Sequence, residues 1–129
     1  MITGSCLCGN VRYEISGNIG DIVHCHCQKC RKAHGSAFSS VAAVNDNCFN
    51  LLGEKNIKDY ESSPGKHRYF CSGCGTHIYA KRMGTEHIIL RLGSVDSEIT
   101  AQEKNHIWVS EKANWYTINS NLPECQEFE

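Results

Sequence analysis

Little in this sequence supports the common enzyme chemistries. It has no Gly-rich phosphate loop, no GxSxG turn and no paired-carboxylate pattern, so the reactions those motifs serve have nothing to rest on. An excess of one charge is missing too. Thirteen Lys and Arg stand against 14 Asp and Glu, a formal net charge of −1, and no basic stripe or tail breaks the balance. That argues against nucleic acid or an anionic membrane as partner. Long apolar runs are absent: "SVAAV" and "HIILRL" are far too short to span a bilayer. The opening "MITGSCLCGN" has no charged stretch followed by an apolar one, so it does not read as a secretory signal. There is no linker, low-complexity tract or long repeat. At 129 residues the chain reads as one domain, burying roughly two-thirds of its unfolded surface, in a soluble cytoplasmic protein.

Cysteine is what the chain has in abundance. Nine is an odd count, and with no export signal it fits metal ligands or redox centres better than a disulfide framework. Seven of the nine cluster by spacing: Cys6 and Cys8 as CxC, Cys25, Cys27 and Cys30 as CxCxxC, and Cys71 and Cys74 as CxxC. Cys48 and Cys125 stand alone.

Around these cysteines the chain reads as mainly β. Runs at 11–15, 37–44, 57–61, 67–70, 76–80, 86–92 and 106–109 alternate apolar and polar residues or are rich in β-branched and aromatic ones. Gly, Asn, Asp and Ser punctuate them. "QKCRKAHG" has room for one or two helical turns ended by Gly35, and "SEKANW" for another. The expected architecture is a single, mostly antiparallel β domain. Trp108 and Trp115 read as core, with one of them as a pocket wall; Tyr13, Tyr69 and Tyr79 read as strand packing, and His67 and His106 as structural or exposed.

Two segments echo each other. "CLCGNVRYEI" and "CSGCGTHIYA" both run cysteine pair, glycine, strand, which suggests two equivalent loops facing one another. In such a knuckle the glycine takes the φ > 0 conformation that the tight turn favours, and both sulfurs point inward. Pairing Cys6, Cys8, Cys71 and Cys74 gives a closed four-thiolate zinc site that ties together distant parts of the chain. Cys25, Cys27 and Cys30 remain as a trio. A structural zinc is closed by four protein ligands, whereas a catalytic zinc keeps one place open to water or substrate. The trio fits the second description, with Arg31 and Lys32 next to it to favour thiolates. The alternative is a second structural zinc completed by Cys48, His24, His26, His34 or His77. If the stretch is extended, His24 and His26 face away from the cysteines, because side chains alternate.

The segments "GSCLCGNVRYEI", "CHCQKCRKAHGSAF", "FCSGCGTHIY" and "HIWVSEKANWYTINSNLP" together resemble the glutathione-dependent formaldehyde-activating enzyme family, which includes a centromere protein V branch. The resemblance covers residues 4–123, leaving 124–129 as an acidic tail. It implies a compact zinc-stapled fold similar to methionine-sulfoxide reductase B. It also implies two zinc ions per chain: a structural one on Cys6, Cys8, Cys71 and Cys74, and a functional one on Cys25, Cys27 and Cys30. The implied activity is that of a carbon–sulfur lyase, S-(hydroxymethyl)glutathione synthase. Glutathione or another small thiol fills the open place on the trio and condenses with formaldehyde or a related carbonyl, while Arg31, Lys32 and Arg82 meet the tripeptide's carboxylates. Two other readings stand beside it. One is a non-enzymatic, zinc-stapled interaction module. The other is a thiol redox protein using Cys48 or Cys125, the latter blunted by the acidic residues around it.

Overall fold

The structure, a computed structural model, describes residues 1–128. In chain order the strands are β1 (Ile2–Ser5), β2 (Arg12–Ile15), β3 (Ile22–Cys25), β4 (Ser39–Asn45), β5 (Phe49–Leu52), β6 (Ile57–Ser63), β7 (Lys66–Cys71), β8 (His77–Arg82), β9 (His87–Arg91) and β10 (Glu103–Ile107). One helix, α1 (Gln28–His34), lies between β3 and β4. The strands make two sheets, a small one in the order β1-β2-β5 and a seven-stranded one in the order β10-β3-β4-β9-β8-β7-β6. All pairings are antiparallel except β10 beside β3.

The mainly β reading holds, and its periodicity accounts for the packing. In β2, Tyr13 and Ile15 turn inward while Arg12 and Glu14 turn out. Those two side chains meet Val44 of β4, Ile78 of β8 and Ile88 and Leu90 of β9, which joins the sheets in one core. Ile15, Ile78 and Leu90 are fully buried, each worth about 1.5–3 kcal/mol against exposure. The Tyr13 hydroxyl reaches Ser94 Oγ at 2.8 Å, so its polar end is not stranded in that core.

Where the structure differs from the sequence expectation, the cause is local. The strand expected at 106–109 is Glu103–Ile107, because Trp108 adopts φ 55 and leads into a 3₁₀ turn at Val109–Glu111. That turn starts earlier than the one expected in "SEKANW". β1, β3 and β5, four residues each, lie outside the runs expected as strands. Trp115 is 69% exposed, not core; Ala113, two residues before it, is the buried residue of that loop.

The stretch after Leu122 packs onto the larger sheet. Cys125 N–H donates to the His106 carbonyl at 2.9 Å, and Trp108 N–H donates to the Glu127 carbonyl at 2.8 Å. Glu129, the end of the acidic tail, lies outside the described residues. Among the described residues, no helix is long and apolar enough to cross a membrane.

Candidate metal centres

The first cysteine set comes from two knuckles that do face each other. One is the β1–β2 turn and the other the β7–β8 turn, with Gly9 at φ 82 and Gly75 at φ 79 in the left-handed region. The sulfurs of Cys6, Cys8, Cys71 and Cys74 lie within 4.8 Å of one another. Cys6 and Cys8 Sγ are 3.6 Å apart, and Cys8 and Cys71 Sγ are 3.7 Å apart. Tetrahedral zinc with Zn–S near 2.3 Å places its sulfurs roughly 3.8 Å apart, so the spacing suits it. Backbone N–H groups of Val11 and Gly73 donate to Cys6 and Cys71 Sγ, each at 3.3 Å. The side-chain and backbone hydrogen bonds of Thr76 bring the Cys74 thiol down to about 5. Cys6 is lowered as well while Cys8 is raised, so negative sulfur is favoured at two of the four positions, and the thiolate is the species that binds metal.

The second set is built at the start of α1. β3 ends at Cys25, the chain turns, and Cys27 caps the helix by accepting the Cys30 N–H on its sulfur at 3.3 Å. Gly35 closes the helix in the left-handed conformation. The three sulfurs lie within 4.8 Å of one another, and among the described residues no further His, Cys, Asp or Glu joins them. Cys30 and Cys25 are almost fully buried. Hydrogen bonds from the Cys25 and Cys27 thiols, with the Arg91 charge behind them, hold the Cys30 thiol far below its ordinary value. The same hydrogen-bonded contacts push Cys25 up.

None of the candidates for a fourth ligand joins this group. His24 and His26 face away, as the alternation predicts. His24 contacts Ser40 Oγ at 2.8 Å and Glu103 at 2.6 Å, and His26 Nε2 contacts His106 Nδ1 at 2.7 Å. Burial, with His106 and His24 beside it, brings His26 down to about 4. His34 and His77 pair their rings 4.9 Å apart. Cys48 packs at the edge of the main core. Cys125 packs beside the trio and accepts from Asn105 Nδ2 at 3.6 Å, outside the ligand group.

The trio opens into a cavity of about 680 Å³ walled by Trp108, Ile107 and Val41. Its lining carries Lys66, Lys81, Arg82, Arg91 and Lys104 against Asp21, so it favours an anionic guest. Arg82 is therefore at this cavity. Arg31 and Lys32 do not line it; Arg31 Nε is bonded to the Glu111 carbonyl at 3.1 Å, and Lys32 is exposed.

Two residues that the sequence reading did not single out matter here. Arg68 of β7 is buried and directs both terminal nitrogens at Cys30 Sγ, at 3.7 and 3.8 Å. Arg91 of β9 is 4% exposed and sits beside the same sulfur cluster. The available signal was a charge inside the apolar run "HIILRL", since an arginine enclosed by apolar residues calls for a partner.

A family model described as glutathione-dependent formaldehyde-activating enzyme matches residues 1–111. The chain belongs to this family. Relatives whose names carry the same enzyme description include one from Podospora anserina, 33% identical over 78% of this chain and 48% of its own. One from Aspergillus oryzae is 31% identical over 74% of this chain and 51% of its own. One from Fusarium vanettenii is 28% identical over 76% and 54%. The chain thus spans about half the length of the curated relatives it matches. A crystal structure of a Rhodobacter sphaeroides protein has the same fold, with a TM-score of 0.63 at 21% identity over 74% of this chain and 89% of that one. Both cysteine sets lie inside the matched family region.

Proposed function

We propose that the chain condenses a carboxylate-bearing thiol of the glutathione class with formaldehyde or a related small aldehyde. One observation carries the reading: three cysteine sulfurs, with no fourth ligand among the described residues, stand in the wall of a cation-lined cavity large enough for a tripeptide. Cys25, Cys27 and Cys30 would hold a functional zinc, and Cys6, Cys8, Cys71 and Cys74 a structural one, in a reducing compartment such as the cytoplasm. Zinc on the trio supplies a Lewis acid that favours the thiolate form of an added thiol at neutral pH.

The chain's own residues do the rest. Lys66, Arg82 and Lys104, which line the cavity, would meet the carboxylates of the thiol. Trp108 and Val41 exclude water from the reacting face. Arg68 and Arg91 balance the negative charge of the cysteine sulfurs from behind. In the reaction a sulfur–carbon bond forms as the thiolate adds to the carbonyl carbon. The C=O π bond breaks, and the proton lost from the thiol ends on the new hydroxyl.

The test is cobalt substitution. Glutathione should change the visible absorption of the trio's metal by adding a thiolate, whereas the four-sulfur site stays unchanged, and Cys48→Ser should leave the response intact. If glutathione has no effect and Cys48→Ser removes one metal, the trio is part of a closed scaffold and the enzyme reading fails.

A further inference from the structure

A second cavity, of about 370 Å³, is lined by residues of α1, β4, β8 and β9, including His34, Ser39, His77 and Arg91. Its polar inventory is unusual. Six described residues carry buried side-chain N or O atoms with no hydrogen-bond partner, and four of them line this cavity. The atoms are His34 Nε2, His77 Nδ1, both Nε and Nη2 of Arg91, and Ser39 Oγ, whose other polar neighbour is the Cys30 sulfur. Buried polar atoms are nearly always paired, so such a convergence marks a missing partner.

At this place Arg91 shares the negative charge of the cysteine sulfurs with Arg68. Among the described residues Arg91 has no carboxylate within ion-pair distance. The sulfurs nearby are already engaged by Arg68 at 3.7 and 3.8 Å. Three thiolates around a divalent ion leave about one negative charge for two buried guanidinium groups. Water would satisfy the orphaned atoms but not the charge. Nε and Nη2 form the edge of a guanidinium that grips a carboxylate or phosphate with two parallel N–H bonds. Ser39 Oγ and the two imidazole nitrogens add partners of either polarity.

We propose that this cavity binds a small oxyanion, of carboxylate or phosphate chemistry, on the Nε/Nη2 edge of Arg91 with Ser39, His34 and His77 completing its coordination. Arg91 is the one described residue that lines both cavities, so the guest's charge lies one side chain from the cysteine trio.

The test uses the metal-loaded protein, titrated with formate and, separately, with inorganic phosphate at constant ionic strength. The readouts are the side-chain Nε–H resonance of Arg91 by NMR and the melting temperature. A saturable shift of that resonance with a saturable rise in melting temperature is expected. Formate alone doing so assigns the site to carboxylates, phosphate alone to phosphates, and both to either source. His77→Gln and Ser39→Ala should each weaken the affinity about tenfold, the loss of one charge-assisted hydrogen bond. Ser39→Ala removes a single hydroxyl and keeps the comparison usable if His77→Gln does not fold. The proposal is overturned if neither anion moves the Arg91 resonance saturably, which leaves water as the occupant. It is equally overturned if affinity is unchanged in the folded variants, which puts the binding elsewhere.

Discussion

Trp108 is the one non-glycine among the described residues with a positive φ, 55°, and its side chain helps to wall the trio's cavity. The left-handed region costs a residue with a Cβ roughly 1–2 kcal/mol. That strain holds the ring beside the sulfurs, and it can be separated from the ring's own contribution. Trp108→Gly should be more stable than Trp108→Ala by about 1 kcal/mol in urea unfolding, because glycine relieves the backbone. Both variants should bind thiol equally poorly, because both lose the wall. Equal stability of the two would mean the backbone is unstrained. At this scale the sequence was legible where spacing alone carries chemistry: Cys25, Cys27 and Cys30 are close neighbours in any fold. Arg68 and Arg91 were not legible as partners of Cys30. Their approach depends on β7 and β9, which flank β8 in the larger sheet, each bringing an arginine to the same sulfurs, a distance no spacing rule reports.

Two short elements carry the cysteine clusters that could hold metal, and they differ in what a lost sulfur does. The paired knuckles hold β1–β2 against β7–β8, so Cys71→Ser should abolish soluble folded protein or lower stability by several kcal/mol, read by urea unfolding. Cys27 caps α1 as well as contributing a sulfur. Serine is a good cap, so Cys27→Ser should lose one of two zinc ions by elemental analysis while the fold survives. Cys27→Ala should be about 1 kcal/mol less stable than Cys27→Ser, through loss of the cap. If Cys27→Ser unfolds the chain as Cys71→Ser does, both centres are structural. Strand existence was legible in runs such as β4 and β9, which are dense in β-branched and other apolar residues. The end of β10 was not, since its break comes from the backbone of one tryptophan rather than from a Pro or Gly.

Across the whole molecule, buried neutral histidines set the acid limit. Burial, with Arg91 and His77 close by, brings His34 down to about 4, and burial also brings His26 to about 4. In the unfolded chain both titrate near 6.5, so below that pH the unfolded state binds more protons than the folded one. Stability should be flat above about pH 6.5, fall as the pH drops, and level off for these groups below about 4. His34→Gln should flatten that slope in urea unfolding between pH 4 and 6.5, and an unchanged slope would show that His34 is charged in the fold. The mainly β, two-knuckle plan was readable from the cysteine-glycine echo. The parallel β3–β10 pair was not, because it joins segments about eighty residues apart, with most of the larger sheet between them.

The segment that packs beside β10 has a practical consequence. Phe128 lies at the trio's cavity, so anything fused after it hangs at the mouth of that cavity. A polyhistidine purification handle there would offer imidazoles to three sulfurs that no fourth ligand among the described residues joins. Protein made in that way could appear saturated, silent toward thiols and free of vacancies, through an artefact of cloning. Met1, 81% exposed and leading into β1 on the other sheet, is the better place for a handle.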